Sequence, residues 1–119
     1  MKKLISLLLL VSGPVYSQPP SILKAEAQLK TNQIFNIAVT LRHPDTGWDH
    51  YASEWIVIAD EEEIAKRTLY HPHVNEQPFT RSLRDVLIPA DVSKVVIKAK
   101  CNQGHDSKPY VLIDKKPVQ

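Results

Sequence analysis

The chain contains five histidines and one cysteine, which are the side chains in this sequence best suited to bind a transition metal. Imidazole nitrogen and thiolate sulfur are preferred ligands of iron, copper and zinc, and both bind in deprotonated forms that are accessible near neutral pH. These candidate ligands lie in three separate segments: His43 and His50, His71 and His73, and Cys101 and His105. A metal site therefore requires a fold that brings the three segments together.

The sequence around these segments predicts short β-strands. Apolar and polar residues alternate with a period of two in residues 23–29 and 35–41, which is typical of half-buried strands. Residues 55–59 form a continuous apolar run, as expected for a central strand covered on both faces. Further strands are predicted at residues 64–70, 79–83, 95–100 and 110–113. A helical turn at residues 60–67 is the alternative to an acidic connection followed by a strand, because Glu and Ala favour helix.

Seven strands within about 100 residues predict an all-β domain, which we interpret as an immunoglobulin-like seven-stranded antiparallel β-sandwich. Nine prolines spread over the connections oppose long helices. The 119 residues are enough for one compact domain and too few for two. Trp48 and Trp55 are interpreted as packing residues of this domain.

Antiparallel strands reverse direction at each connection, so every second loop of such a fold lies at the same end. The second, fourth and sixth connections are residues 42–53 (loop two), 71–77 (loop four) and 101–109 (loop six), and together they contain all five histidines and the cysteine. A single histidine in a polar loop is more simply a turn residue, especially before proline. The common end shared by all six side chains instead favours a metal site built from loops on a rigid scaffold.

Residues 1–17 have the features of a cleaved secretory signal peptide. A basic start at Lys2 and Lys3 precedes a short apolar run at residues 4–11, and cleavage is predicted between Ser17 and Gln18. That run is far shorter than the roughly 20 residues needed to span a bilayer, so we expect no stable membrane anchor. The sequence thus predicts a periplasmic or secreted protein whose domain comprises residues 18–119.

The composition excludes several classes of function. Without residues 1–17 the chain has 13 basic and 13 acidic side chains and no basic run, so nucleic acid is not an expected partner. A single cysteine excludes an intramolecular disulfide and a metal site made of cysteines alone. In an oxidising compartment Cys101 is therefore expected to be a metal ligand, to be paired between chains, or to be a small buried hydrophobic residue at the end of a strand.

Two segments resemble the desulfoferrodoxins and neelaredoxins, which are the superoxide reductases. His43-Pro44-Asp45-Thr46-Gly47-Trp48-Asp49-His50-Tyr51 followed by Trp55-Ile56 is similar to the HP…HY…WI segment of that family. Cys101-Asn102-Gln103-Gly104-His105 is similar to its C-N-x-H signature. The order and separation of the segments fit, and the resemblance covers nearly all of residues 18–119.

The resemblance implies an immunoglobulin-like domain that holds one mononuclear non-haem iron. Four equatorial histidine nitrogens and one axial cysteine thiolate bind iron in that family, and the opposite axial position is open. By motif, His43 and His50 are implied as equatorial ligands, Cys101 as the axial thiolate and His105 as a further nitrogen ligand. The implied chemistry transfers one electron from ferrous iron to superoxide, two protons complete hydrogen peroxide, and an unknown electron donor restores ferrous iron.

This sequence departs from the family pattern in its first segment. The family has a histidine and a lysine in an E-K-H-V-P motif before the first strand, whereas Gln18-Pro19-Pro20-Ser21 has neither. The spacings from His43 to His50 and from Cys101 to His105 are each one residue longer than usual. His71 or His73 is therefore predicted to supply the missing nitrogen.

Two other functions remain open at this point. The first is a non-catalytic periplasmic carrier or sensor of copper or zinc, and the second is an interaction domain whose histidines form only a polar rim. Asp45, Asp49 and Asp106 are each compatible with a solvated turn and with a hydrogen bond that holds a ligand imidazole in one tautomer. The turn is preferred for Asp45 and Asp106, and neither interpretation is preferred for Asp49. Glu76 and Arg81 are predicted to form an ion pair that supports loop four.

Overall fold

The computed structural model of this protein describes residues 18–115, and the predicted signal peptide at residues 1–17 lies outside them. Within this range the chain forms seven antiparallel β-strands and no helix, which confirms the predicted all-β class. The strands are β1 (Ser21–Thr31), β2 (Ile34–Arg42), β3 (Ala52–Ala59), β4 (Glu62–Thr68), β5 (Phe79–Leu87), β6 (Lys94–Cys101) and β7 (Tyr110–Asp114). Among the described residues there is no helix long and apolar enough to cross a membrane.

The strands form two sheets. One sheet has the order β1-β2-β5 and the other has the order β4-β3-β6-β7. Residues 60–67 form a turn and most of β4, so the alternative of a helical turn is wrong. Asp60 and Glu61 have φ angles of 47° and 73°, which makes this a two-residue hairpin turn that matches the twist of the two strands.

The core is one cluster that both sheets line. Ile37 and Leu41 of β2 and Trp55 and Val57 of β3 are fully buried, as is Ile97 of β6. The prediction that Trp55 is a packing residue is confirmed. The same prediction for Trp48 is wrong, because this side chain is 65% exposed and touches the ring of Tyr51 edge to face.

Three strand ends position the candidate ligands. β2 ends at Arg42, so His43 is the first residue of the connection that crosses from the three-stranded to the four-stranded sheet. His50 lies two residues before β3 begins at Ala52. Ala52 is paired with Cys101 at the end of β6, and the thiol therefore lies beside the segment that contains His50.

Candidate metal centre

The fold brings three of the six predicted ligands together. One donor atom from each of His43, His50 and Cys101 lies within 4.8 Å of the other two. The rings of His43 and His50 have their centroids 4.6 Å apart and are nearly perpendicular, at 83°. Donor atoms that share one ion at about 2.0–2.3 Å are separated by about 3–4.5 Å, which is close to the separation in this cluster.

His43 is held on three sides. Its backbone N–H donates to Gln77 Oε1 at 2.9 Å, its Nδ1 lies 2.5 Å from Asp45 Oδ1, and its Nε2 lies 3.0 Å from the Gln18 carbonyl oxygen. Because a carboxylate accepts hydrogen bonds and does not donate them, the proton belongs on Nδ1 in the neutral ring. Nε2 is then the nitrogen that would bind a metal, and the ion would take the place of its contact with the Gln18 carbonyl oxygen.

His50 supplies the second nitrogen. Burial of the ring, together with the nearby His43, lowers the pKa of His50 below its usual value, and Asp45 opposes this shift. Its Nε2 is buried and has no hydrogen-bond partner among the described residues. A neutral imidazole with a buried, unpartnered nitrogen suits a metal ligand, because binding an ion satisfies that nitrogen.

Cys101 supplies the sulfur at the end of β6. The residue is 4% exposed, and its backbone N–H donates to the His105 carbonyl oxygen at 3.0 Å. Gly104 donates its N–H to the Cys101 carbonyl and has a φ of 85°, a left-handed conformation that favours glycine. The extra residue between Cys101 and His105 is thus accommodated as a tight turn at the strand end.

Loop six is hydrogen-bonded to loop two by side chains that the sequence analysis did not identify as functional. Asn102 Nδ2 donates to the carbonyl oxygens of Trp48 and Asp49 at 3.0 and 3.3 Å, and Gln103 Nε2 donates to that of Asp49 at 2.8 Å. Asn102 Oδ1 accepts the Tyr51 N–H at 2.9 Å. These bonds hold the segment that contains His50 against the residues that follow Cys101. The C-N-x-H resemblance was the one signal that could have drawn attention to Asn102.

His105 lies beside the three-residue cluster and is not part of it. Its ring contributes to the lowered pKa of His50, so the two imidazoles are electrostatic neighbours. As a further nitrogen ligand, His105 stays a prediction.

His71 and His73 also lie outside the cluster, and their ring centroids are 4.6 Å apart. His73 is buried and stacks on Phe79 at 3.9 Å, and its Nε2 accepts a hydrogen bond from Arg81 Nη2 at 2.9 Å. This bond requires the proton of the neutral ring on Nδ1, so His73 has no free lone pair while the bond persists. His71 is exposed and its Nδ1 lies 3.0 Å from the Pro72 carbonyl, which leaves Nε2 as its available nitrogen.

Three of the sequence interpretations of acidic residues are settled by their contacts. The predicted ion pair between Glu76 and Arg81 is confirmed, with 3.3 Å between Oε1 and Nη2. The interpretation of Asp45 as a turn residue is wrong, because Asp45 is 5% exposed and accepts hydrogen bonds from three parts of the chain. Asp106 is exposed and lies 3.9 Å from Lys98, as expected for a residue of a surface turn.

The metal-free protein is expected to lose stability as the pH falls below about 6.5. Burial first, and then Arg81 and His71, lowers the pKa of His73 in the folded state. At pH values between that lowered pKa and the ordinary value, the unfolded chain binds more protons than the folded protein. The free energy of unfolding therefore decreases as the pH is lowered, by up to about 1.4 kcal/mol per pH unit for each such group. Urea denaturation at pH 8 and pH 5.5 measures this loss.

The variant His73→Gln should make this pH dependence shallower. His71→Gln removes only one of the smaller causes of the lowered pKa of His73 and should change the dependence less. An equally steep dependence in His73→Gln would contradict the assignment.

The fold and the cluster define an all-β, two-sheet protein with a candidate centre of two imidazoles and one thiolate. Comparisons with protein-family models, with curated proteins and with solved structures find no match to this chain. The resemblance to the superoxide reductases therefore depends on the two sequence motifs.

Proposed function

We propose that this protein is a secreted, superoxide-reductase-like iron protein in which His43, His50 and Cys101 hold one mononuclear non-haem iron. The observation that carries the proposal is the convergence of these three donors within 4.8 Å of one another. Both motifs of the resemblance contribute to the cluster, His43 and His50 from the first and Cys101 from the second. Two antiparallel sheets of three and four strands around one core support the immunoglobulin-like sandwich that the proposal assumes.

The donor set agrees with the proposed chemistry. When bound, ferrous iron would supply one electron to superoxide, and two protons would complete hydrogen peroxide. The Cys101 thiolate would donate electron density to the ion, and its burial excludes water from the sulfur. The lowered pKa of His50 keeps its ring neutral, as a metal ligand must be, at the pH of a periplasmic or extracellular compartment.

The proposed location agrees with the state of the cysteine. Cys101 is a free thiol and is buried, so it is protected from exchange with other thiols in an oxidising compartment. The signal-peptide features of residues 1–17 support export. The proposed partners are superoxide and a one-electron donor.

Expression of residues 18–119 with and without oxygen, followed by elemental analysis and a visible spectrum, tests this proposal. We expect one iron per chain and, after oxidation, a sulfur-to-iron charge-transfer band that is absent from the metal-free protein. Bound iron without such a band would contradict ligation by the thiolate. A protein that binds no transition metal under either condition would overturn the proposal.

The alternative function is a non-catalytic carrier or sensor of copper or zinc. It is favoured by the number of donors in the cluster, because two histidines and one cysteine without further nitrogens are also a donor set of copper and zinc proteins. Stoichiometric copper or zinc with no iron, after growth with all three metals supplied, would support this alternative and contradict the iron protein.

A further inference from the structure

We propose that Asp45 is a positioning residue of the metal centre, which fixes the proton of His43 on Nδ1 and so directs Nε2 to the ion. Asp45 also connects loop four to the centre. This inference rests on the proposed metal-binding function and extends it to a residue that would not touch the metal.

The contacts of Asp45 carry the inference. Its side chain and that of His43 have no exposed surface. Oδ1 lies 2.5 Å from His43 Nδ1 and accepts the Ala52 N–H at 3.0 Å, while Oδ2 accepts the His73 N–H at 2.7 Å. The three donors belong to loop two, the start of β3 and loop four. A buried carboxylate without hydrogen-bond partners is strongly disfavoured. The three donors, in turn, need a side chain at position 45 whose oxygen atoms accept hydrogen bonds.

The geometry also determines which ring nitrogen is protonated. The N–H groups of Ala52 and His73 are fixed donors, so they hold both carboxylate oxygens in place as acceptors. His43 Nδ1 must then donate to Oδ1. Nε2 lies beside the Gln18 carbonyl oxygen, and it is the ring nitrogen whose lone pair would face the ion once the ion takes the place of that contact. A carboxylate in this position orients a ligand imidazole and raises its basicity, and loss of such a partner lowers metal affinity by about 10–100-fold.

Loop four also contacts the backbone of His43. Gln77 Oε1 accepts the His43 N–H at 2.9 Å, and Gln77 Nε2 donates to the His73 carbonyl oxygen at 2.9 Å. Loop four therefore reaches both the backbone and, through Asp45, the ring of His43. This gives the segment from His71 to Gln77 a role at the centre that does not require its imidazoles to bind the ion.

Asp45→Asn tests the inference with little change in shape. The amide can keep only two of the three hydrogen bonds, because its NH₂ group must face either the His73 N–H or the pair formed by His43 Nδ1 and the Ala52 N–H. We expect affinity for Fe²⁺ under anaerobic conditions to fall about 10–100-fold. We also expect the ¹⁵N spectrum of the metal-free variant to contain a population of His43 without a proton on Nδ1, whereas wild type carries a proton on that nitrogen.

Asp49→Asn is the matched control, since it removes the same charge from the same loop and Asp49 also interacts electrostatically with His50. It should lower Fe²⁺ affinity by no more than about twofold, which is less than the loss expected when a residue that orients a ligand is removed. An equal loss in both variants would assign the effect to charge alone and overturn the inference. So would an unchanged affinity in Asp45→Asn.

The spectrum of the metal-free wild-type protein tests the inference even where Asp45→Asn does not fold. His43 without a proton on Nδ1 in that spectrum would overturn it. Absence of Fe²⁺ binding by wild type would overturn the proposed function instead, and the proton position on His43 would still report the link to Asp45.

Discussion

Cys101→Ser is expected to abolish the sulfur-to-iron charge-transfer band and to lower the affinity for Fe²⁺ by more than about 100-fold. Loss of a residue that only hydrogen-bonds to a metal ligand lowers affinity by up to about 100-fold, and loss of a ligand should cost more. Serine replaces the thiolate by a hydroxyl that is not deprotonated near neutral pH, so the ion loses a charged ligand. The new hydroxyl lies at a site that is 4% exposed, and burying it without a partner costs about 1–3 kcal/mol. The visible spectrum, anaerobic Fe²⁺ titration and urea denaturation measure these three effects.

Cys101→Ala separates ligation from packing, because it removes the sulfur without adding a polar group. It should lose the band as completely as Cys101→Ser does while folding more stably. Lys24→Ala is the control for the rest of the chain, since Lys24 pairs with Glu26 on the exposed face of β1. A charge-transfer band that survives in either cysteine variant would mean that iron binds elsewhere.

His50→Ala is expected to lower iron content below one-tenth of that of wild type at equal iron supply, because two donors hold the ion far less tightly than three. Its Nε2 is buried, has no partner in the described part of the chain and belongs to the cluster, so the substitution removes an atom well placed to bind. Elemental analysis of the purified variant measures the loss.

His105→Ala discriminates between the three-donor cluster and the larger ligand set that the resemblance implies. Because His105 lies outside the cluster, its removal should lower iron content much less than His50→Ala does. Equal losses in the two variants would place a third nitrogen, as a fourth ligand, on the ion and require loop six to close over it. Full iron content in His50→Ala would contradict the proposed centre.

The strands could be predicted from the sequence because their period-two pattern depends only on which face is buried. β5 shows where this fails: the prediction ends at residue 83, whereas the strand continues to Leu87. The pairing of β2 with β5 shifts register between Phe35 and Ile37, and Asp85 has a φ of 57°. This bulge interrupts the alternation, so the last residues of β5 do not continue the pattern.

The candidate site could be predicted only in part. Alternation of strand direction determines the end of the molecule at which a loop lies, and it does not determine the distances between side chains within that end. His43, His50 and Cys101 converge because each lies within two residues of a strand end. His73 lies inside a longer connection, where stacking on Phe79 and the bond from Arg81 engage its ring instead.

Asp45 was misinterpreted for a similar reason. Next to a His-Pro pair an aspartate is typical of a turn, and its burial depends on the His73 N–H, 28 residues further along the chain. Nothing local to loop two indicates that contact. Long-range backbone donors are the least visible class of hydrogen bond in a sequence, because every residue except proline carries one.

The pairing of Ala52 with Cys101 links the proposed centre to the alignment of the four-stranded sheet. Successive side chains of a strand point to opposite faces, so sliding β6 by a single position would turn the sulfur outward and bring the lysine at position 100 inward. An insertion or deletion within β6 would therefore remove the sulfur from the cluster even with every ligand residue retained. Only the observed register brings the three side chains together, so an ion bound to them would stabilise this register of the sheet over shifted registers.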